Sequence, residues 1–167
     1  KEYRRAASDV YKRQVYSHIY GVNVSMLRFF TVYGPRQRPD MAIHKFTKAI
    51  LAGKPLPFFG DGGTLRDYTY IDDIIDGVVR CVDRPFRYEI FNLGESHTTS
   101  LSELVTLIEK HTGKPAVLDR QPMQPGDVET TYADVSHARA LLDYEPRFTM
   151  DEGIARFVAW FKEQEGA

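Results

Sequence analysis

The 167-residue sequence has one cysteine, Cys81, and therefore no pair that could form an internal disulfide. Cys81 lies among aliphatic residues at helical spacing, which favours a buried thiol that packs as a small apolar side chain over a reactive one. A chain without disulfides suits a reducing compartment. We expect a cytoplasmic protein.

The sequence also lacks an excess of charge of one sign, and it lacks long apolar runs. The 22 Lys and Arg residues nearly balance the 23 Asp and Glu residues, so the net charge of −1 gives no surplus to hold a nucleic acid or an anionic membrane. No apolar run reaches the ~20 residues that a membrane helix needs, and the first ten residues lack the apolar centre of a signal peptide. The sequence predicts neither a nucleic-acid partner nor a membrane partner.

The sequence lacks the motifs of several kinds of metal, cofactor and catalytic site. The five histidines are scattered singly, without the H-x-x-x-H spacing and without a cysteine cluster, so no metal site is predicted. Neither the phosphate loop ending in G-K-[ST] nor the dinucleotide motif G-x-G-x-x-G occurs, and no G-x-S-x-G elbow is present. The sequence brings no cofactor loop of its own.

What is present is a mixture of helical and β-forming segments without repeats, typical of an α/β or α+β protein. Helices are predicted at 10–20, 40–52, 71–83, 101–112, 136–142 and 150–164. Strands are predicted at 23–30, 56–59, 64–70, 89–93 and 116–118, with loops at 31–39 and 121–127 and a tight turn at 60–63. Asp40 is expected to cap the second helix, and Ser100 with Glu103 has the spacing of a capping box.

The third predicted helix has an apolar face and an acidic start. The apolar positions are Ile71, Ile74, Ile75, Val78, Val79 and Val82. Asp72, Asp73 and Asp76 lie in the first turns, where the helix dipole favours negative charge. Adjacent acids could also serve a metal or acid–base chemistry, but the helix-start explanation is favoured.

Six ordered motifs carry a family resemblance. They are LRFFTVYGP (27–35), RPDMA (38–42), PFFGDG (57–62), RDYTYIDD (66–73), FNLG (91–94) and PGDV (125–128). In this order and spacing they resemble the C-terminal half of the extended short-chain dehydrogenase/reductase family that acts on sugar nucleotides. The likeness is strongest to the UDP-glucuronate 4-epimerases and covers residues 15–163.

The resemblance implies a fold and a domain organisation. The fold would be α/β, the C-terminal substrate-binding portion of a Rossmann-type protein, with the last strands of the parallel sheet but without the N-terminal NAD-binding half. Residues 15–167 would form the sugar-nucleotide binding domain. Residues 1–14 would be an atypical or foreign segment.

The resemblance also implies roles for residues of the nucleotide end. Arg66 would bind the diphosphate, Asp127 would accept hydrogen bonds from the ribose hydroxyls, and Pro57 and Phe59 would line the uracil site. A guanidinium offers forked donors to phosphate, and a carboxylate accepts from two vicinal hydroxyls. Two plainer readings stay open: Arg66 could form a surface ion pair with Asp67, and the aromatic residues of these strands could simply pack in the core.

At the sugar end, the resemblance places Thr31 against the substrate and Met41 and Ala42 at the start of the helix beside it. Arg38 would receive the uronate carboxylate, which favours an acidic sugar over a neutral one. Arg38 could instead be a solvated loop residue. Phe29 would border the nicotinamide of NAD.

One family motif is missing. The Tyr-x-x-x-Lys pair that moves the C4 hydroxyl proton should precede the helix that ends at Gly21, but Arg5 and Asp9 occupy the two places that flank Ala6-Ala7-Ser8. Hydride transfer needs NAD and proton transfer needs a tuned acceptor. We therefore expect no turnover by this chain alone, together with self-association or dependence on a separate N-terminal half.

Three functions follow from these observations. The first is the substrate-binding part of an NAD-dependent UDP-uronate 4-epimerase that converts UDP-glucuronate to UDP-galacturonate. The second is the corresponding part of another sugar-nucleotide epimerase, dehydratase or decarboxylase. Arg38 within the RPDMA motif disfavours this second function. The third is a non-catalytic sugar-nucleotide-binding module.

Overall fold

The computed structural model describes residues 2–165, with side chains from residue 9 to residue 164. The helices of this part of the chain are α1 Glu2–Tyr20, α2 Ala42–Leu51, α3 Ile71–Asp83, α4 Leu101–Thr112, α5 Ser136–Leu142 and α6 Met150–Glu165. The strands are β1 Val24–Phe29, β2 Thr31–Tyr33, β3 Pro55–Phe59, β4 Leu65–Arg66, β5 Tyr68–Tyr70, β6 Tyr88–Leu93, β7 Thr99–Ser100 and β8 Val117–Gln121.

The strands form four pairs. Three are parallel: β1 with β6, β2 with β5 and β3 with β8. The pair β4 and β7 is antiparallel. Parallel strands joined through intervening helices confirm the α/β class, because parallel neighbours need long crossover connections.

Helices α3, α4 and α5 follow their local signals closely. The bounds of α3 and α5 match the predicted ones. The capping box before α4 is confirmed, since the Ser100 hydroxyl accepts from the Glu103 backbone N–H at 3.1 Å and the Glu103 carboxylate accepts from the Ser100 N–H at 2.8 Å. Gly113 ends α4 with a φ of 74°, a conformation that glycine adopts without steric cost.

The loop predicted at 31–39 and the single strand predicted at 64–70 are wrong in detail. Residues 31–33 form β2, whose pairing with β5 brings together segments 37 positions apart and leaves no local signal. The predicted strand breaks at Asp67 into β4 and β5, which join different partners. The strand predicted at 116–118 continues to Gln121, where it runs beside Phe59.

Helix α1 differs most from expectation. It begins at Glu2 instead of residue 10 and runs without a break past residue 14. Its larger apolar side chains are mostly in solvent, with Ile19 62% exposed, whereas Ser17 is buried and donates to the Arg87 carbonyl at 2.6 Å. The Tyr3 and Arg5 side chains lie outside the described residues, so the assignment of 1–14 as an atypical segment stays a prediction.

Two apolar cores hold these elements together. The first core lies between β2, α2, β3, β5, α4 and α6, and its fully buried members include Tyr33, Leu104 and Phe157. The second core joins α3, β6 and α5 with residues 133–135. Cys81 is buried there as predicted.

The predicted apolar face of α3 is only partly used. Ile74 is buried in the second core, but Ile75 and Val79 are half-exposed and Val82 is 74% exposed. The six aliphatic positions span more of the helix circumference than one core contact can cover. A stripe of apolar side chains, Ile75, Val79 and Val82, therefore faces solvent.

Candidate functional site

The carboxyl end of β1 places Phe29 beside the start of β2. The Phe30 backbone N–H donates to the Leu93 carbonyl at 3.2 Å, and the Thr31 N–H donates to the Asp67 carbonyl at 3.1 Å. The chain thus passes from the β1–β6 pair to the β2–β5 pair across a single residue. Phe29 is 52% exposed, so its ring is accessible to a ligand at this strand end.

Arg66 and Asp127 meet in the structure although 61 positions separate them. The Arg66 Nη2 donates to the Asp127 carboxylate at 2.6 Å, and Nη1 donates to the Leu65 carbonyl at 2.9 Å. The Arg66 side chain is 19% exposed, so its orientation is fixed by packing as well as by these bonds. Two residues assigned to neighbouring parts of one nucleotide are brought together.

Main-chain bonds to β4 explain this meeting. The Leu65 N–H donates to the Glu129 carbonyl at 2.8 Å, and the Thr131 N–H donates to the Leu65 carbonyl at 3.0 Å. These bonds align residues 129–131 along β4 and bring the preceding Asp127 to Arg66. The alternative pairing of Arg66 with Asp67 is wrong, because Asp67 is fully buried and has other partners.

Asp67 is the functional-region residue that the sequence reasoning missed. Its carboxylate accepts from the backbone N–H groups of Glu95 at 2.8 Å, Ser96 at 3.1 Å and Ala133 at 3.0 Å, and from the Thr69 hydroxyl at 3.1 Å. It ties the end of β6 and residue 133 to the junction of β4 and β5. An aspartate inside the strand predicted at 64–70 was the available signal, because an acid is unfavourable inside a strand unless its carboxylate is bonded.

Arg38 and Asp40 lie in the turn that precedes α2. The Met41 N–H donates to the Arg38 carbonyl at 3.1 Å, which closes the turn, and Arg38 Nε donates to Asp40 Oδ1 at 2.9 Å. The second bond of the pair joins Nη2 to Oδ2. Asp40 was expected to cap α2, but the N-cap is Met41, which has no side-chain bond, because the Asp40 carboxylate is committed to Arg38.

Met41 and Ala42 begin α2 as predicted, and both are half-buried. Pro57 and Phe59 lie on β3, opposite Asp119 and Gln121 of β8. Pro57 is exposed and Phe59 is half-buried. Their alternation with buried strand positions leaves these two side chains accessible at one strand pair.

The aromatic residues of these strands had two possible roles, contact with the uracil or packing in the core, and the structure separates them. Phe58, Tyr68 and Tyr70 are buried members of the first core, so core packing accounts for them. Phe59 is not among the buried members. It therefore remains the aromatic candidate for a base contact on β3.

Glu95 is half-buried and lies two residues after the end of β6. Burial first, and then the charges of Asp73 and Asp67, raise the pKa of Glu95 to about 7. Its Oε2 has no hydrogen-bond partner in the described part of the chain. Asp73 is buried as well, with a pKa raised chiefly by burial, and it accepts from the backbone N–H groups of Arg147 and Phe148 at 3.0 and 3.1 Å.

Asp73 therefore does more than the helix-start role predicted for it, because it anchors the segment before α6. Asp76, by contrast, forms an i,i+4 ion pair with Arg80 at 2.6 Å. Among the side chains described, from residue 9 to residue 164, no group of three metal-ligating residues is placed to hold an ion.

Two grooves on the surface contain none of the predicted site residues. One, of about 410 Å³, lies along α4 between His97 and Met150. The other, of about 380 Å³, lies on α1 between Tyr11 and Ile19. Within residues 2–165, no helix has the length and apolar character required to span a bilayer.

A comparison with protein families decides the family. The model of the GDP-mannose 4,6 dehydratase family matches residues 6–157. The chain belongs to this family of extended short-chain dehydrogenase/reductases. Members of the family are NAD-dependent enzymes that act on sugar nucleotides, which confirms the resemblance and the fold class predicted from the motifs.

Individual family members include epimerases. A UDP-glucuronate 4-epimerase of Thermodesulfobacterium geofontis is 44% identical over 149 residues, which are 89% of this chain and 46% of that protein. A UDP-glucuronic acid 4-epimerase of Bacillus cereus, solved in complex with UDP-glucuronic acid and NAD, is 38% identical with a TM-score of 0.85, covering 91% of this chain and 49% of that one.

A UDP-glucose 4-epimerase of Thermotoga maritima, solved with UDP-glucose, is 29% identical with a TM-score of 0.88, covering 95% of this chain and 52% of that one. The family member described here thus spans about half the length of the relatives it matches. The family uses NAD, but this sequence has no dinucleotide loop, and the one residue assigned to NAD is the half-exposed Phe29. These residues do not make an NAD site by themselves.

Proposed function

We propose that this chain is the substrate-binding part of an NAD-dependent UDP-uronate 4-epimerase that converts UDP-glucuronate to UDP-galacturonate. The observation that carries the proposal is the contact between Arg66 and Asp127 at 2.6 Å. The first was assigned to the diphosphate and the second to the ribose, and these groups are adjacent in every UDP-sugar. Their proximity supports a single nucleotide-binding surface.

The hydrogen bonds of Arg66 leave two N–H groups for phosphate. Nη1 donates to the Leu65 carbonyl at 2.9 Å and to the Glu129 carbonyl at 3.4 Å, and one N–H of Nη2 donates to Asp127. The Nε–H and the second N–H of Nη2 are not used by these bonds. These two of the five N–H groups remain to donate to phosphate oxygens, which guanidinium groups bind well.

Arg38 supports an acidic sugar. Its side chain is 77% exposed, so the guanidinium is accessible, and its pairing with Asp40 gives it a defined place in the turn before α2. A sugar carboxylate can accept two parallel N–H bonds from such a group, whereas a neutral hydroxymethyl group cannot. A preference for UDP-glucuronate over UDP-glucose is therefore expected.

Binding is expected without turnover by this chain alone. In a complete family member NAD supplies the hydride acceptor, and a tyrosine and lysine pair handles the hydroxyl proton. This sequence contains no Tyr-x-x-x-Lys pair and no dinucleotide loop. We therefore expect dependence on an NAD-binding half supplied by another polypeptide segment, or self-association of the apolar surfaces.

Calorimetric titration with UDP-glucuronate tests the proposal. Arg66→Ala should abolish binding, and Arg38→Ala should weaken it about 10- to 100-fold, as expected for a charged hydrogen bond. Arg84→Ala is the matched control, because Arg84 forms a similar pair with Asp143 at 2.6 Å but is not assigned to the site. A folded wild-type chain that gives no heat with UDP-glucuronate would contradict the proposal.

A second candidate is the same part of an epimerase for neutral sugars. The TM-score of 0.88 to the Thermotoga maritima UDP-glucose 4-epimerase favours it. Titration with UDP-glucose separates the two: equal affinity for UDP-glucose and UDP-glucuronate, unchanged in Arg38→Ala, supports the neutral-sugar function.

A third candidate is a non-catalytic sugar-nucleotide-binding module, which the missing Tyr-x-x-x-Lys pair favours. Mixing the chain with the separately expressed N-terminal half of a family relative tests it. Turnover of UDP-glucuronate by the mixture, and not by either part, supports the epimerase function. Binding with no turnover in the mixture supports the module.

A further inference from the structure

The turn before α2 holds two opposite charges in one fixed arrangement. The Met41 N–H donates to the Arg38 carbonyl, so Arg38, Pro39, Asp40 and Met41 form a four-residue turn. Pro39 occupies its second position, where the proline ring presets the backbone angle. The side chains of Arg38 and Asp40 are brought to the same side of this turn.

The hydrogen bonds between them use only one edge of the guanidinium. Nε donates to Asp40 Oδ1 at 2.9 Å and Nη2 donates to Oδ2, which is a side-on, two-pronged contact. The end-on edge, formed by Nη1 and the outer N–H of Nη2, is directed away from Asp40 by the planarity of the group. Because the Arg38 side chain is 77% exposed, a second carboxylate can reach that edge.

We propose that Asp40 is a specificity-determining positioning residue that holds the Arg38 guanidinium so that its end-on edge receives the carboxylate of an acidic sugar. This inference rests on the proposed function of Arg38. A long side chain loses rotamer freedom when it binds a ligand. Asp40 has already ordered Arg38, so less freedom is lost when the sugar carboxylate arrives.

The charge state of Asp40 suits this role. Its hydrogen bond to Arg38 lowers the pKa of Asp40 to about 2, so the carboxylate is ionised throughout the neutral range. The opposite role, in which Asp40 occupies Arg38 until a substrate displaces it, would require two charge-assisted hydrogen bonds to break. The open end-on edge makes that displacement unnecessary.

The test compares the affinities of the whole chain for UDP-glucuronate and UDP-glucose. In Asp40→Asn we expect the preference for UDP-glucuronate to fall about 1.5- to fivefold, the range for an exposed ion pair, with UDP-glucose affinity unchanged. Arg38→Ala should remove the preference, and Asp40→Asn should have no further effect in the Arg38→Ala background. Asp143→Asn, which breaks the exposed Arg84 pair, is the control.

The outcomes are distinguishable. A preference that rises in Asp40→Asn overturns the proposal and shows that Asp40 competes with the substrate. A preference that Arg38→Ala removes and Asp40→Asn leaves unchanged overturns the role of Asp40 alone. A folded chain without affinity for UDP-glucuronate, or with a preference insensitive to Arg38→Ala, overturns the proposed function and this inference with it.

Discussion

The two cores of the molecule differ in how completely they are covered. The first core is enclosed by strands and by α2, α4 and α6, whereas the second leaves the stripe of Ile75, Val79 and Val82 on α3 in solvent. The proposed uracil contacts on β3 belong to the enclosed side, and Arg66 lies two residues before Tyr68, a buried member of the first core. Phe29, which the resemblance assigns to the cofactor, lies on the open side.

The two sides therefore suit different roles, ligand recognition on the enclosed side and association with another surface on the open side. Strand β3, with Leu56 and Phe58 buried in the first core, holds Phe59 on a packed scaffold, which suits precise recognition of a ligand. Exposed apolar side chains in a contiguous stripe are typical of a surface that associates with another surface. The Asp67 carboxylate connects the two sides, because it bonds to Thr69 near the first core and to residue 133 in the second.

The largest expected effect concerns the enclosed side. Phe157→Ala should lower the free energy of unfolding by about 3–5 kcal/mol, because it leaves a cavity at a fully buried position. Phe29→Ala removes the same atoms at a half-exposed position and should change the free energy of unfolding by about 1 kcal/mol or less. Urea unfolding of both variants measures this. Equal losses would contradict the contrast between the two sides.

The next largest loss of stability is expected at Asp67, which connects the two sides. Asp67→Asn should destabilise the chain by about 1–3 kcal/mol, because an amide nitrogen replaces an oxygen that accepts buried N–H donors. It should also speed hydrogen exchange at the Glu95 and Ser96 amides, which donate to Asp67. Asp119→Asn, on the exposed side of β8, serves as the control and should alter neither measurement.

A pH effect follows from Glu95. The folded chain keeps the Glu95 proton up to a pH of about 7, whereas a solvated glutamate releases it near 4.5. The folded state therefore binds more protons in this window, and the free energy of unfolding falls as the pH rises from about 4.5 through 7. Glu95→Gln should remove this contribution, so its stability relative to the wild type should increase with pH.

Urea unfolding at pH 5 and pH 8 measures the effect. Glu129→Gln, at an exposed position, is the control. A stability difference between Glu95→Gln and the wild type that is the same at both pH values would show that Glu95 titrates like a solvated carboxyl.

The smallest effect on stability is expected in the apolar stripe. Replacing Val79 and Val82 together by serine should change the free energy of unfolding by about 0.5 kcal/mol or less. Self-association, followed by light scattering, should decrease because apolar surface is removed. Ile74→Val, a buried change on the same helix, should cost about 0.5–1.5 kcal/mol without altering association. Unchanged association in the serine variant would contradict a docking role for the stripe.

Local chemistry predicted much of the fold. The bounds of α3 and α5 and the capping box of α4 depend on residues within one or two turns, and the sequence displays those residues directly. Strand β2 and the break at Asp67 depend on pairing with distant segments. Neither Thr31-Val32-Tyr33 nor Thr64–Tyr70 carries a sign of which partner it will join.

The candidate site shows the same limit. Motif resemblance nominated Arg66 and Asp127 separately, and their contact depends on the bonds of Leu65 to Glu129 and Thr131. The function of Asp40 was mistaken for a helix cap because aspartate at that position favours both roles. Only the position of the Arg38 guanidinium distinguishes them.

The hydrogen bonds of Asp67 have a consequence for the order of folding. Its backbone donors lie 28, 29 and 66 positions further along the chain, so all of them require large loops to close. Contacts that close large loops are costly to form early, and each side has shorter-range contacts with which to begin. We expect Asp67 to engage after the folding transition state, so that its loss accelerates unfolding and leaves the refolding rate nearly unchanged.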